Sequence, residues 1–144
     1  MARNRKFIDA PPEQVFAVLA DADSYGDWVV GSKKIRAADA AFPARGSRFH
    51  HSVGIGRLLV EDHTEVLESD PPHRLKLEAR ARPLGSATVT LELAPLRTGT
   101  EVTMVEEPSG HTAPLRFLPP VHLFARLRNA ESLRRLKALV ERRP

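Results

Sequence analysis

With 144 residues, the chain is long enough for one domain that buries roughly two-thirds of the surface its unfolded form would expose. It contains no cysteine, which excludes disulfides, thiolate zinc sites and cysteine nucleophiles and points to the cytoplasm as its compartment. The net charge of +4 is unevenly placed: from residue 111 onward eight Lys and Arg residues stand against only Glu131 and Glu141, and the remainder is slightly acidic.

The basic opening residues run into Phe7, Ile8, Asp9, Ala10, Pro11 and Pro12 instead of an apolar run, so no secretory leader is expected. No uncharged apolar stretch approaches the roughly 20 residues of a membrane-spanning helix. Residues 3–9 read as a first strand, ended by Pro11 and Pro12, whose rings suit the first turn of a helix. Val15, Phe16, Val18 and Leu19 give that short helix its apolar stripe, and Glu13 favours its positive end. In residues 21–28, Asp23 or Ser24 is placed to cap a second short helical turn.

From 33 to 107 the pattern is one of strands of six to ten residues in an antiparallel meander. Val53, Gly54, Ile55 and Gly56 mark an early hairpin, and further turns are expected at 69–72, 83–85 and 97–99. Leu75, Leu77, Ala79 and Ala81 alternate with Lys76, Glu78, Arg80 and Arg82, and Ala87, Val89, Leu91 and Leu93 alternate with Thr88, Thr90 and Glu92. Such alternation means one buried and one wet face. Val102 and Met104 continue the inward set. After Pro114 the period becomes helical: Leu123, Phe124, Leu127, Ala130, Leu133, Leu136 and Val140 are expected along one stripe that covers the sheet. With no repeat or linker, residues 1–144 are expected to be a single domain.

This order, with Phe7 to Phe16 as its opening motif and Asp23, Ser24, Tyr25, Gly26, Asp27 and Trp28 as its second, resembles the START/Bet v 1-like superfamily. Within it the chain looks most like the polyketide cyclase/dehydrase group, a likeness carried further by residues 66–72, 99–103 and 128–137. The resemblance spans nearly the whole chain. It implies an α+β helix-grip fold: a curved antiparallel β-sheet wrapped around a long C-terminal α-helix, with two short helices after the first strand. It also implies a cavity between sheet and helix for a small hydrophobic ligand, and it makes Trp28, with Tyr25 nearby, an aromatic edge of that cavity. Sharing a fold does not transfer chemistry, so the residues themselves must supply it.

By alternation Phe49, His51 and Val53 share an inward face, as do Val102, Met104 and Glu106; Leu58, Val60, Asp62, Thr64 and Val66 form a third such set. Glu106, if desolvated, is the candidate general acid or base, against the plainer reading of a rim residue paired with an arginine. His51 is the candidate proton shuttle or ligand hydrogen-bond partner, with His50 taking its place if the register slips by one. Tyr25, Trp28, Phe49, Asp62, Thr64 and Leu77 are the first candidate ligand-binding residues. Val89, Leu91, Met104, Phe124 and Leu127 complete the expected wall.

No His-Glu-x-x-His spacing is present, so no metal is expected. No serine lies in a Gly-x-Ser-x-Gly elbow, and Gly54 and Gly56 are too few for a dinucleotide loop, so no cofactor is expected. The expected partner is a small hydrophobic or aromatic molecule, polyketide- or lipid-like. One alternative is a cyclase/dehydrase-type enzyme using acid–base residues in the same cavity. Another is a module whose arginine-rich last helix docks on an anionic membrane or on RNA, although nucleic acid is not the expected partner. Peripheral membrane contact and oligomeric state are left open by the sequence.

Overall fold

The computed structural model describes residues 2–55, 57–81 and 85–143. Among them seven strands form one antiparallel sheet: β1 (Ala2–Ile8), β2 (Ser32–Ala38), β3 (Arg48–Ile55), β4 (Leu58–Asp70), β5 (Arg74–Ala81), β6 (Gly85–Leu96) and β7 (Gly99–Ser109). Their spatial order is β1-β7-β6-β5-β4-β3-β2, so only the first strand is displaced from sequence order. Between β1 and β2 lie α1 (Pro12–Leu19), a 3-10 turn (Ala22–Ser24) and α2 (Tyr25–Trp28). A 3-10 segment (Gly110–Phe117) leads into the long helix α3 (Pro119–Arg142). This is the helix-grip arrangement, and no described helix is long and apolar enough to cross a membrane.

Local chemistry explains most boundaries. Pro12 sits in the first turn of α1, where its missing N–H would have had no partner. The turn before α2 is capped by Asp21, whose Oδ1 accepts from the Asp23 N–H at 3.2 Å. Ser24, one of the two expected caps, occupies the N-cap position of α2 but makes no side-chain capping bond, its hydroxyl being turned to the Val18 and Asp21 carbonyls. β4 and β6 are longer than expected, and β4 absorbs Ser69 and Asp70 before the chain turns. Bulges between β2 and β3 and between β4 and β5 bend the sheet. The expected turn residues Pro83 and Leu84, and Gly56 of the hairpin, lie outside the described residues, as does Arg82. So do the side chains of Val53, Leu58 and Ala81.

Hydrogen bonds fix α3 along β1: Lys137 Nζ donates to the Phe7 carbonyl at 3.0 Å, the Asp9 N–H donates to Glu141 at 2.8 Å, and Asn4 Nδ2 donates to the Arg126 carbonyl at 3.0 Å. The helix buries Asn129, Ser132, Leu133, Leu136 and Val140. The expected stripe fails in its first half. Leu127 and Leu133 are six residues apart, which at 3.6 residues per turn is one and two-thirds turns and sets their side chains about 120° apart around the helix, so they do not share a face. Packing follows Leu133, Leu136 and Val140, and this turns Leu123, Phe124 and Leu127 outward, with Phe124 67% and Leu127 65% exposed. Ala130 is exposed as well.

Strand register divides the concave face into rows. Leu75, Leu91 and Met104 stand side by side, as do Leu93 and Val102, and these large side chains fill the core together with Ile8, Val66 and Leu136. Each such side chain fully buried contributes about 1.5–3 kcal/mol. Toward the other end of the sheet the row Thr64, Ala79, Ala87 and Pro108 carries smaller side chains. With large side chains at one end and small ones at the other, the space beneath α3 is filled at the first and empty at the second.

Candidate functional site

That empty space is a pocket of about 360 Å³. Its floor is Thr64, Ala79, Ala87, Val89 and Met104 of the sheet; Val29 to Ser32 and Tyr25 form one side, and Arg128, Asn129 and Ser132 of α3 the roof. Thr112 of the 3-10 segment closes toward Gly85 and Ser86. The walls are mostly apolar with a few polar groups at the edges, the usual composition of a site for a small organic molecule.

Each polar edge is held in place. Ser132 Oγ accepts from the Val30 N–H at 3.0 Å, joining the roof to the loop after α2. Thr112 Oγ1 lies 2.7 Å from the Ser109 carbonyl and 3.0 Å from that of Ser86, and Ser86 and Ser109 hydroxyls are 2.9 Å apart. This knot needs Gly85: a Cβ there would stand 2.6 Å from Thr112 Cγ2, at a backbone φ of +141°. Arg80 is paired with Glu78 at 2.7 Å.

Glu106 lines the pocket, in the register expected from Val102 and Met104. It is not an isolated acid. Arg128 Nη2 forms a salt bridge with its Oε1, and Asn129 Nδ2 donates to the same oxygen at 2.8 Å. The arginine-paired reading of Glu106 describes its geometry.

His51 is 4% exposed and also lines the pocket, while His50 faces the other side of the strand with its ring 6.0 Å from that of His63. Burial holds the His51 imidazole below its ordinary value near 6.5. A hydrogen bond to the His63 backbone and the Asp62 carboxylate act the other way, and the His63 side chain and Arg36 add to the lowering. Its Nε2 is buried with no hydrogen-bond partner among the described residues.

The remaining expected residues divide three ways. Tyr25, Thr64, Val89 and Met104 reach the pocket. Tyr25 contributes its ring, because its hydroxyl donates to the Leu19 carbonyl at 2.7 Å, and burial, then Asp21, pushes its pKa up. Trp28, Phe49, Leu77 and Leu91 are buried in the core and do not line the pocket, though Trp28 and Phe49 pack on Tyr25 with ring centroids 5.1 and 4.8 Å away. Asp62 is buried but does not line it; its Oδ1 accepts from the His63 N–H at 2.9 Å. Phe124 and Leu127 are on the outer face of α3, away from the cavity, for the helical-phase reason above. Sequence reasoning missed Arg128, Asn129 and Ser132. The signal was present, since Asn129 and Ser132 are in phase with Leu133, Leu136 and Val140.

A curved sheet gripping a long helix over a largely apolar pocket defines a module built around a small hydrophobic ligand. Comparison with known proteins agrees. The family model described as "Polyketide cyclase / dehydrase and lipid transport" matches residues 2–141, and the chain belongs to that family. No curated protein matches. Among solved structures, protein CV1439 from Chromobacterium violaceum is 23% identical with a TM-score of 0.72, covering 98% of this chain and 97% of its own. Protein SA2116 from Staphylococcus aureus, titled as of unknown function, is 13% identical with a TM-score of 0.74, covering 97% and 92%. Ara h 8.0201 is 10% identical with a TM-score of 0.71, covering 98% and 97%, and establishes the Bet v 1-like fold.

Proposed function

We propose that the protein, as one domain over residues 1–144 and in the cytoplasm, binds a small hydrophobic or aromatic molecule, polyketide- or lipid-like, in the pocket beneath α3. The observation that carries this reading is the pocket itself, a space of about 360 Å³ over the small residues Ala79 and Ala87. Binding is favoured over turnover because Glu106, the sharpest acid–base candidate, is engaged by Arg128 and Asn129. Acid–base chemistry in this pocket would have to fall to His51. The test is thermal unfolding with and without 2-naphthol. A ligand selective for the native state adds about 2.7 kcal/mol at one hundred times its Kd. An unfolding temperature unmoved by 2-naphthol up to its solubility limit counts against the reading.

A second reading, docking on an anionic membrane, is favoured by one observation. Leu118, Leu123, Phe124 and Leu127 are exposed on or beside the first half of α3, with Arg126 exposed among them. An apolar helix face with interspersed basic residues suits the headgroup boundary. Co-sedimentation with phosphatidylglycerol-containing vesicles, lost in Phe124→Ser/Leu127→Ser, is the expected result. Equal sedimentation of the variant, or none of either, removes this reading and leaves the pocket untouched.

A further inference from the structure

We infer that the 3-10 segment Gly110–Phe117 is a latched lid across which the ligand enters and leaves the pocket, and that the Thr112 hydroxyl is the latch. The inference rests on the small-ligand reading above and adds to it the way the site opens.

The walls of the pocket differ in what anchors them. Its filled end is closed by the buried side chains of Leu75, Leu91, Leu133 and Leu136. The roof is tied at Ser132 to Val30, and at Arg128 and Asn129 to Glu106. The side formed by Tyr25 rests on the buried rings of Trp28 and Phe49. The 3-10 segment has no such anchor among its described side chains: Thr112 and Ala113 are half-buried, and Pro114 is exposed. A segment with little apolar burial opens more readily than one packed in the core.

Hydrogen bonds close it instead. Thr112 Oγ1 accepts from the Ser86 N–H at 3.4 Å and lies 3.0 Å from the Ser86 carbonyl, so one hydroxyl makes both links from the segment to β6. The linked residues stand at the site itself, since Thr112, Gly85 and Ser86 all line the pocket. The ends of the segment are suited to turning. Gly110 has a φ of +58°, and Leu118 is extended before α3 begins. Positions at the ends of elements are where a lid takes up its rotation. A ligand passes only while the latch is broken, so its association rate scales with the open fraction of the empty protein.

Stopped-flow fluorescence of 2-naphthol binding to the wild type, Thr112→Val and Thr112→Ser reads that rate. Thr112→Val keeps the shape and removes the latch. Its association is expected to be about tenfold faster, equivalent to about 1.4 kcal/mol, the size of one or two net hydrogen bonds. Thr112→Ser, which keeps the hydroxyl, is expected to restore slow association. Loss of a mere wall contact acts on dissociation and leaves association as it was. Amide hydrogen exchange gives a second readout without ligand: residues 110–117 are expected to exchange about tenfold faster in Thr112→Val than in the wild type, with β6 and β7 unchanged. Equal association rates, or exchange in 110–117 that the variant does not alter, overturns the lid while the pocket reading stands. If 2-naphthol binds to none of the three proteins, the pocket reading fails and takes the inference with it.

Discussion

Glu106 of β7 and Arg128 of α3 are joined by a salt bridge at the edge of the pocket, and Asn129 donates to the same carboxylate oxygen at 2.8 Å. The pair ties the first half of α3 to the sheet at the point where the helix has no large apolar side chain to bury. Its role is to hold the roof. Glu106→Gln keeps the shape and removes the charge, leaving Arg128 with a weaker partner, and is expected to destabilise by about 1–3 kcal/mol. Urea unfolding measures this, and 2-naphthol affinity should change by less than about threefold. Unchanged stability would mean that the bridge is not a clamp.

Gly99 opens β7 under β1. A Cβ at this position would lie 2.4 Å from the Ile8 carbonyl oxygen and 2.6 Å from Phe7 Cζ, and the carbonyl is backbone that cannot swing away. Gly99→Ala is therefore expected to destabilise by about 1–3 kcal/mol through displacement of β1, read as a lower urea midpoint. A neutral substitution would show that β1 yields freely at this edge.

Ala87 can be enlarged into the empty space. Ala87→Ile adds apolar volume to the pocket floor, and cavity filling of this kind commonly gives about 0.5–2 kcal/mol. Higher stability together with lost 2-naphthol binding is the expected pair of results in thermal unfolding and calorimetry. Retained binding would place the ligand elsewhere.

Stability should fall with acid in two stages. His51 titrates near 6.5 when unfolded and lower when folded. In the interval between, the unfolded chain holds the additional proton, so stability is full above about 6.5 and is lost as pH falls through that interval. The charged or titratable neighbours are Asp62 and His63 of β4 and Arg36 of β2, with Glu106 and Arg128 elsewhere on the pocket wall. Glu141 is lowered from 4.5 by Lys137 and then by the Asp9 N–H. Its contribution is present above 4.5 and is lost as pH falls through the lowered value. Urea midpoints between pH 8 and 3 should show both stages in the wild type, and only the more acidic one in His51→Gln. A flat profile from 7 to 5 in the wild type would contradict the burial of a neutral His51.

Much of the fold was legible because a sheet with one buried face writes its register directly into the sequence. Leu75 and Leu77, and Val102, Met104 and Glu106, point where alternation places them. The helix was less legible: two apolar sets, Leu123, Phe124 and Leu127 and then Leu133, Leu136 and Val140, lie on different faces of the helix, and only packing decides which is buried. That decision also moved the polar roof, Arg128, Asn129 and Ser132, into the site and took Phe124 and Leu127 out of it. The hydroxyl knot of Ser86, Ser109 and Thr112 was invisible, because it joins a strand to a 3-10 segment whose position depends on tertiary contacts.

The central claim, that the space over Ala79 and Ala87 holds a hydrophobic small molecule, is tested most directly by native mass spectrometry of the protein purified from its own host beside the Ala87→Ile variant. The account predicts one extra mass on the wild type, released on denaturation, extractable into organic solvent and absent from the variant. A bare wild-type mass, or the same adduct on both proteins, would contradict it.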